Sequence, residues 1–338
     1  MSRLAAIFGC AGPRLLGEEA AFFREVRPWG FILFRRNIES PDQLRALTAA
    51  LRETAGDGWT PVLVDQEGGR VQRLGPPHWP RYPPARAYSR LPAPERREMV
   101  RLGARLIAHD LRAVGIDVDC APVLDTPEAG SHDIIGDRAF ADTLDEVAAL
   151  GRAFAEGLMA GAVLPVIKHL PGHGRARADS HEALPVVEAV HAALAARDFG
   201  PFRANADLPL AMTAHVVFAA LDPTAPATTS KTVIGQVIRG EIGFDGLLIT
   251  DDLSMKALSG DFASRATGAL AAGCDVVLHC NGAMDEMRAV AVGARPLAGD
   301  AARRAQAALA WRAESPEPVD VEAARARFAG AFEGRWAA

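Results

Sequence analysis

The segment KHLPGHGRARADSH, residues 168–181, combines three histidines, a lysine and an aspartate with two glycines and a proline. Asp179 and His181 are two residues apart, close enough for the carboxylate to orient the imidazole and raise its basicity. Such a pair suits proton transfer near neutral pH. Gly172 and Gly174 permit unusual backbone angles, which favours a mobile loop. The segment therefore predicts a loop that carries a proton-transfer pair, although the pair alone identifies no reaction.

Other polar side chains stand where apolar runs of the chain end. They are Asp65, Asp125, Asp137, Arg138, Lys168, His169, His215, Asp251, Asp252 and Asn281. If the runs are parallel strands of one barrel, their carboxyl ends meet on the face where barrel enzymes form their active sites. A single strand-end aspartate can also cap the helix that follows it. We interpret Asp252, before LSMKAL, as such a cap, and the set as a whole as functional.

Eight short apolar runs alternate with longer amphipathic patterns along the chain. The runs predict buried parallel strands over residues 3–9, 30–35, 61–65, 116–125, 162–169, 210–215, 246–252 and 274–281. The patterns between them predict helices over 17–26, 40–55, 93–115, 143–161, 188–196, 230–241, 261–273 and 283–294. Eight strand–helix units in series predict an α/β fold, a (β/α)8 barrel of the TIM type. A doubly wound sheet is the alternative, but no GxGxxG motif follows the first run.

The chain beyond residue 296 contains two more helical patterns, over 299–314 and 320–334, separated by the proline-containing stretch SPEP. We expect both helices to pack on the outside of the barrel rather than to form a second domain. The sequence therefore predicts one catalytic domain over 1–338, with the barrel over about 1–295 and a helical extension over about 296–338.

Composition excludes several classes of protein. The 338 residues are 49% apolar and 23% charged, as in ordinary globular proteins, and the net charge of −5 gives no nucleic-acid footprint. The four cysteines have no zinc-ligand spacing, so we expect neither metal nor cofactor, and we interpret them as buried thiols of a reducing compartment. No signal peptide and no apolar stretch of membrane-spanning length is present, which predicts a soluble cytoplasmic protein without a membrane partner.

Five motifs resemble those of one known family: DQEGGRVQRL, GDRAF, KHLPGHG…DSH, MTAHVVF and ITDDLSM. They are similar to the motifs of the single-domain β-N-acetylglucosaminidases of glycoside hydrolase family 3, and most similar to the bacterial enzymes of cell-wall recycling. The resemblance runs over about residues 5–295. It implies a (β/α)8 barrel, in agreement with the number of apolar runs, and it favours a monomer. The implied substrate is N-acetylglucosamine linked to 1,6-anhydro-N-acetylmuramic acid, with or without its peptide.

The resemblance also implies a role for individual residues. Asp251, which opens DDLSM, is the nucleophile that forms a covalent glycosyl-enzyme. His181 is the general acid/base, paired with Asp179. The hydroxyls of the sugar are held by Asp65, Arg73, Arg138, Lys168 and His169.

These roles agree with the chemistry of retaining hydrolysis, which needs a nucleophile on one face of the sugar and a proton donor on the other. The usual donor is a second carboxylic acid, so a histidine on a loop departs from the general scheme. Leu170 stands where the family usually has Phe, and RARA, residues 175–178, fills a variable stretch of the loop. The larger glucosidases of the family have a second, sandwich domain. The chain ends too early for that domain, which argues against glucosidase activity.

Four other functions remain open at this point. The main rival is a phosphorylase that uses phosphate in place of water, because Arg175 and Arg177 lie on the loop. Lys168 could form a Schiff base if its pKa were lowered. His169 and His215 could bind a metal, but barrel hydrolases of that class have an HxH on the first strand, which is missing here. A sugar-binding protein without activity would have no need of Asp251.

Overall fold

The structure is a computed structural model that describes residues 2–56, 59–180 and 183–336. Eight parallel strands form a closed barrel, in which each strand pairs with its neighbours in chain order and the last pairs with the first. In chain order they are β1 (Leu4–Phe8), β2 (Pro28–Leu33), β3 (Val62–Val64), β4 (Val118–Asp119), β5 (Leu164–Leu170), β6 (Leu210–Thr213), β7 (Leu247–Asp252) and β8 (Val276–His279). The predicted (β/α)8 fold is confirmed.

Alternate side chains of each strand point to opposite sides of the barrel wall. Ile32 of β2 and Leu63 of β3 belong to a cluster that fills the interior, together with Val166 of β5. Phe31 and Leu33 belong to the larger cluster under the surrounding helices. Both faces of every strand are therefore buried, which explains why the strands appear in the sequence as continuous apolar runs.

β4 is much shorter than the predicted strand 116–125. Pro122 has no N–H and cannot continue the ladder of hydrogen bonds. The chain nevertheless stays beside its neighbours, because the Cys120 N–H donates to the Val64 carbonyl at 2.8 Å and the Leu124 N–H to the Lys168 carbonyl at 2.8 Å. The extension carries Asp125 to the carboxyl end of the barrel.

Helices cover the outside of the barrel. The α-helical segments of at least ten residues are Gly17–Val26, Pro41–Ala55, Ala93–Arg112, Leu144–Ala160, Phe262–Ala272, Met284–Gly293, Gly299–Ala310 and Val321–Ala331. The predicted helices 188–196 and 230–241 differ from the structure, since Leu194–Asp198 and Val233–Glu241 are π-helical. Val190 has extended angles (φ −64°, ψ 152°), so no helix begins before His191.

The helices beyond residue 296 pack on the rest of the chain. Phe328 of Val321–Ala331 is buried, with its ring centroid 6.2 Å from those of Tyr82 and Tyr88. Arg325 on the same helix donates to the buried Asp110 at 2.5 Å. Ala305 of Gly299–Ala310 joins the apolar cluster of the barrel interior.

Each of the four cysteines is buried and outside any disulfide. Within the described part of the chain, no helix is both long and apolar enough to cross a lipid bilayer.

Candidate active site

A cavity of about 310 Å³ opens at the carboxyl end of the barrel. Its wall includes six residues that the sequence assigned to the site, namely Asp65, Arg73, Arg138, Lys168, His169 and Asp251. They come from four strands or the segments that follow them, β3, β4, β5 and β7. The barrel thus brings together side chains that are far apart in the sequence.

Lys168, at the end of β5, is buried between two carboxylates. Its Nζ donates to Asp65 Oδ1 at 3.0 Å and lies 2.6 Å from Glu67 Oε1. Burial alone would favour the neutral amine, but the two carboxylates outweigh it and raise the pKa of Lys168 above its ordinary value. A Schiff-base lysine needs the opposite shift. Lys168 is therefore a fixed cation, which argues against the Schiff-base alternative.

Glu67 is the main residue of the site that the sequence analysis missed. It accepts from Arg138 Nε at 2.8 Å and from Arg138 Nη2 at 2.9 Å, the two-point geometry of a strong guanidinium–carboxylate pair. Burial opposes ionisation of Glu67, yet Arg138 and Lys168 lower its pKa to about 2. The sequence signal was present, since Glu67 lies two residues after Asp65 in the motif DQEGG.

Arg138 was expected to bind sugar hydroxyls, and in the structure most of its N–H donors already have protein partners. Two of its donors are occupied by Glu67, and Nη1 donates to the Ile134 carbonyl at 3.1 Å. A guanidinium has five N–H groups, so two remain for a ligand. Direct contact between Arg138 and a sugar therefore stays a prediction.

A short hairpin after β3 holds Asp65 and Arg73 together. Arg73 Nη2 donates to Asp65 Oδ2 at 2.9 Å. Burial opposes ionisation of Asp65, but Lys168 and Arg73 hold its pKa well below the ordinary value. The Gln66 side chain fixes the turn, because its Oε1 accepts from the backbone N–H groups of Arg73 and Leu74 at 2.9 and 3.0 Å. Arg73 is thus tied to the site by both its backbone and its side chain.

Asp251, at the carboxyl end of β7, lines the cavity and accepts from the Asp252 N–H through Oδ1 at 2.8 Å. Asp252 was interpreted as a helix cap, and this was wrong. A turn follows it, and the next helix begins at Phe262 with Asp261 as its N-cap. Asp252 instead accepts from the N–H groups of Ser254 at 3.0 Å and Cys280 at 3.1 Å, and so joins β7 to the end of β8.

A buried aspartate, Asp125, lies behind two histidines that line the cavity, His169 and His173. Asp125 Oδ2 lies 2.6 Å from His169 Nδ1, and Asp125 Oδ1 accepts from the His173 N–H at 2.6 Å. His173 lines the cavity, and burial lowers its pKa to about 4, so its ring is neutral at pH 7. Asp125 and His169 both stand at predicted strand ends, but their spacing in the sequence does not reveal that they pair.

His215 is structural rather than a metal ligand. Its Nε2 donates to the Asp252 carbonyl at 3.0 Å, and its Nδ1 lies 2.7 Å from Thr228 Oγ1. Among residues 2–56, 59–180 and 183–336, no group of three or more His, Cys, Asp or Glu side chains is arranged to hold a metal ion. Asn281 is also structural, because its Oδ1 accepts from the Ala283 N–H just before the helix Met284–Gly293.

The loop after β5 is close-packed at its start. A Cβ atom on Gly174 would lie 2.1 Å from the Thr126 carbonyl oxygen, and Gly172 has a φ of 143°, which other residues rarely adopt. Close approach and an unusual backbone angle therefore account for these two glycines, whereas mobility of the loop stays a prediction. Asp179 precedes Ser180, which lines the cavity. His181, the expected acid/base, lies outside the described residues, so its place in the site stays a prediction.

Comparison with known proteins gives a consistent family. The model of the glycosyl hydrolase family 3 N-terminal domain matches residues 18–299. A β-hexosaminidase from Methylococcus capsulatus is 42% identical over 279 residues, which cover 81% of this chain and 82% of the relative. A crystal structure of NagZ from Neisseria gonorrhoeae in complex with N-trifluoroacetyl-D-glucosamine superposes with a TM-score of 0.87 at 32% identity, covering 98% of both chains.

A second solved structure extends the comparison. It is the family 3 β-N-acetylglucosaminidase from a Paenibacillus species, with a TM-score of 0.84 and 29% identity over 97% of this chain and 67% of that one. The family model covers the seven strands β2 to β8, and the similar solved structures cover nearly all of this chain. The chain therefore belongs to glycosyl hydrolase family 3 and groups with the β-hexosaminidases of that family.

Proposed function

We propose that this protein is a retaining exo-β-N-acetylglucosaminidase that removes terminal N-acetylglucosamine from the anhydromuropeptides of the cell wall. One observation carries the proposal. Asp251 stands at a rigid strand end and lines the same small cavity as a locked set of charged side chains, Asp65, Glu67, Lys168 and Arg138. At about 310 Å³ the cavity is at the lower end of ligand-site volumes, which suits one sugar ring rather than a chain of them.

The charged set suits a sugar because hydroxyls both donate and accept. Asp65 and Glu67 are ionised and can accept from hydroxyls, whereas Lys168 and Arg138 donate. The ion pairs hold these groups in place before the substrate arrives, so little ordering remains to be done on binding. The Neisseria gonorrhoeae NagZ in complex with a glucosamine derivative supports an amino sugar as the ligand.

The reaction would proceed in two steps. In the first, an Asp251 carboxylate oxygen bonds to the anomeric carbon as the bond to the leaving oxygen breaks, and His181 gives that oxygen a proton. In the second, His181 takes a proton from water, the water oxygen bonds to the anomeric carbon, and the Asp251 carboxylate is released. Asp179 would orient the imidazole of His181. Two inversions at one carbon give net retention.

The phosphorylase alternative loses part of its support. Arg175 donates through Nε to the buried Asp198 at 2.7 Å and also pairs with Glu128. Both Arg175 and Arg177 line a separate surface cavity beside Glu188 rather than the one that contains Asp251. Neither guanidinium therefore lines the cavity that contains Asp251.

Product analysis tests the proposal directly. With 4-nitrophenyl β-N-acetylglucosaminide, proton NMR during the first turnovers should show the β-anomer of free N-acetylglucosamine, with or without added phosphate. The corresponding β-glucoside should react far more slowly. First formation of the α-anomer would contradict retention, and a glycosyl phosphate would identify a phosphorylase.

Cleavage of a purified anhydromuropeptide tests the natural substrate separately. The proposal expects release of one N-acetylglucosamine and an intact anhydromuramyl peptide. Activity on chitin disaccharides without any on the muropeptide would retain the activity and reject the assigned substrate.

A further inference from the structure

Asp125 is a fully buried carboxylate next to the site, and it does not itself line the cavity. The two histidines that it contacts, His169 and His173, do line the cavity. In the proposed function His169 binds the sugar, whereas Asp125 has no role. Its hydrogen bonds show what it controls.

Asp125 accepts three hydrogen bonds from the end of β5 and the segment that follows it. Oδ2 lies 2.6 Å from His169 Nδ1, while Oδ1 accepts from the N–H groups of His173 at 2.6 Å and His169 at 3.3 Å. A carboxylate can only accept, so His169 Nδ1 carries a proton and donates it. The other ring nitrogen, Nε2, is then the one left for a ligand.

The charge state of Asp125 supports this assignment. Burial opposes its ionisation, but His169 and the donors from His173 outweigh burial and lower the pKa of Asp125 below its ordinary value. The group is therefore an ionised carboxylate at neutral pH, which makes its short contact with His169 a charge-assisted hydrogen bond.

The second branch of the network reaches the far end of the loop. His173, whose backbone is fixed by Asp125, places its ring Nε2 3.4 Å from Ser180 Oγ. Ser180 is 2% exposed, lines the cavity and immediately precedes His181 in the sequence. The ring centroids of His169 and His173 lie 5.6 Å apart, and the two rings meet edge to face.

We propose that Asp125 is a positioning residue of the glycosidase site, which fixes the Nδ1–H form of His169 so that Nε2 faces the sugar, and which anchors the His173–Ser180 contact. The proposal rests on the proposed function for its effect on catalysis, although the tautomer of His169 is independent of it. Around metal centres, carboxylates that orient a ligating imidazole change affinity or activity by about 10–100-fold when removed, and we expect an effect of that order for the carboxylate behind His169.

The decisive variant is Asp125→Asn, which keeps the shape of the side chain. The amide oxygen can still accept from the backbone N–H of His173, but the amide NH₂ then faces His169 and can only donate. His169 Nδ1 must lose its proton to accept that bond. Nitrogen-15 NMR of protein labelled in histidine reports the protonation of each ring nitrogen, and it should show Nδ1–H in the wild type and its loss in the variant.

The loss of the Nδ1–H form of His169 should lower the catalytic efficiency. We expect kcat/KM for 4-nitrophenyl β-N-acetylglucosaminide to fall by about 10–100-fold in Asp125→Asn. Asp198→Asn is the matched control, because Asp198 is also buried and contacts the same loop through Arg175 but does not touch His169. It should change kcat/KM by less than about threefold and leave the His169 tautomer unchanged.

A double-mutant cycle separates positioning from general stability. If Asp125 acts through His169, Asp125→Asn should cost much less in a His169→Ala background than alone. A wild-type spectrum in which His169 Nδ1 lacks a proton would overturn the proposal even if the variant did not fold. So would a folded Asp125→Asn with wild-type kcat/KM. An inactive wild type would instead reject the proposed function and leave the NMR test of the tautomer in force.

Discussion

The two ends of the barrel both bury ion pairs, but they satisfy their carboxylates in different ways. At the amino end, Asp117 before β4 accepts from the Val62 N–H of β3 at 2.9 Å, and Asp275 before β8 accepts from the Leu248 N–H of β7 at 2.9 Å. Each therefore binds the start of the preceding strand, and each also pairs with an arginine of a surrounding helix, Arg52 or Arg239.

At the carboxyl end, Asp65 and Glu67 bind the side chains of Arg73, Arg138 and Lys168, and they line an open cavity. Hydrogen-bonding capacity remains in this set, as the two spare N–H groups of Arg138 show. Thus aspartates paired with arginines bind backbone N–H groups of neighbouring strands at the amino end, whereas carboxylates and cations line a ligand cavity at the carboxyl end. Buried charge that lines a cavity does not by itself mark an active site, because Asp117 and Arg52 also line a cavity of about 300 Å³ at the amino end. The carboxyl end differs because carboxylates and cations from several strands share one cavity there with Asp251.

The largest effect should come from the nucleophile at the carboxyl end. Asp251→Ala should reduce kcat on an aryl β-N-acetylglucosaminide by on the order of 10⁴-fold or more, because no covalent intermediate can form. Circular dichroism should show an unchanged fold. Asp252→Asn is the control, since an amide oxygen can still accept from Ser254 and Cys280, and it should be far milder. Equal losses in the two variants would place the nucleophile elsewhere.

Removing a member of the charged set should weaken sugar recognition. Asp65→Ala and Arg138→Ala each leave a buried partner with one ion pair fewer, which costs roughly 1–3 kcal/mol, or about 5–150-fold in kcat/KM. Glu67→Gln should fall in the same range, because it removes the charge that Arg138 and Lys168 share. Unchanged kinetics in all three variants would remove these residues from the site.

The amino end should respond in stability rather than activity. Asp275→Asn removes the charge that pairs with Arg239 and Arg304 while it keeps an acceptor for the Leu248 N–H. We expect the free energy of unfolding to fall by about 1–3 kcal/mol in urea titrations. The kcat/KM of the folded enzyme should stay within about twofold of the wild type. A large loss of kcat/KM would show that the two ends are not separable.

A pH-dependent effect concerns Asp119 at the end of β4, whose Oδ1 accepts from the Gln66 N–H at 2.9 Å and whose Oδ2 has no hydrogen-bond partner among the described residues. Burial raises its pKa from 3.8 to about 8. The native state therefore holds this proton more tightly than the unfolded chain does, so Asp119 costs stability as the pH rises through this range. The Asp119→Asn variant stays neutral at every pH. The difference between its melting temperature and that of the wild type should therefore increase in favour of the variant as the pH is raised from about 5 to about 8. A difference independent of pH would show that Asp119 is ionised throughout.

The sequence was most informative where one periodic signal dominates. Strands buried on both faces are continuous apolar runs, so all eight were located, and helices such as Gly17–Val26 and Pro41–Ala55 end within one residue of their predicted bounds. β4 was overestimated because apolar residues continue past Pro122, where the ladder cannot. The π-helical segments were missed because their side-chain pattern resembles that of an α-helix.

The sequence predicted which residues belong to the site and where they stand on the strands, but it did not predict which of them contact one another. Strand ends gave Asp65, Lys168 and Asp251, since the barrel brings such ends together whatever the loops do. Pairing is a property of three dimensions, so the Glu67–Arg138 and Asp125–His169 contacts could not be obtained from spacing. The same limit explains the error at Asp252, whose partner Cys280 lies just after the next strand.

The most direct test of the account is to trap the covalent intermediate. His181→Ala removes the proton donor that a sugar leaving group needs, and it should lose on the order of 10²–10⁴-fold on a natural disaccharide. An activated aryl leaving group needs little protonation, so the first step should continue while attack by water becomes slow. Intact mass spectrometry of this variant with the aryl substrate should then show one added N-acetylhexosamine, and peptide mapping should place it on Asp251. No adduct, or an adduct on another residue, would contradict the account.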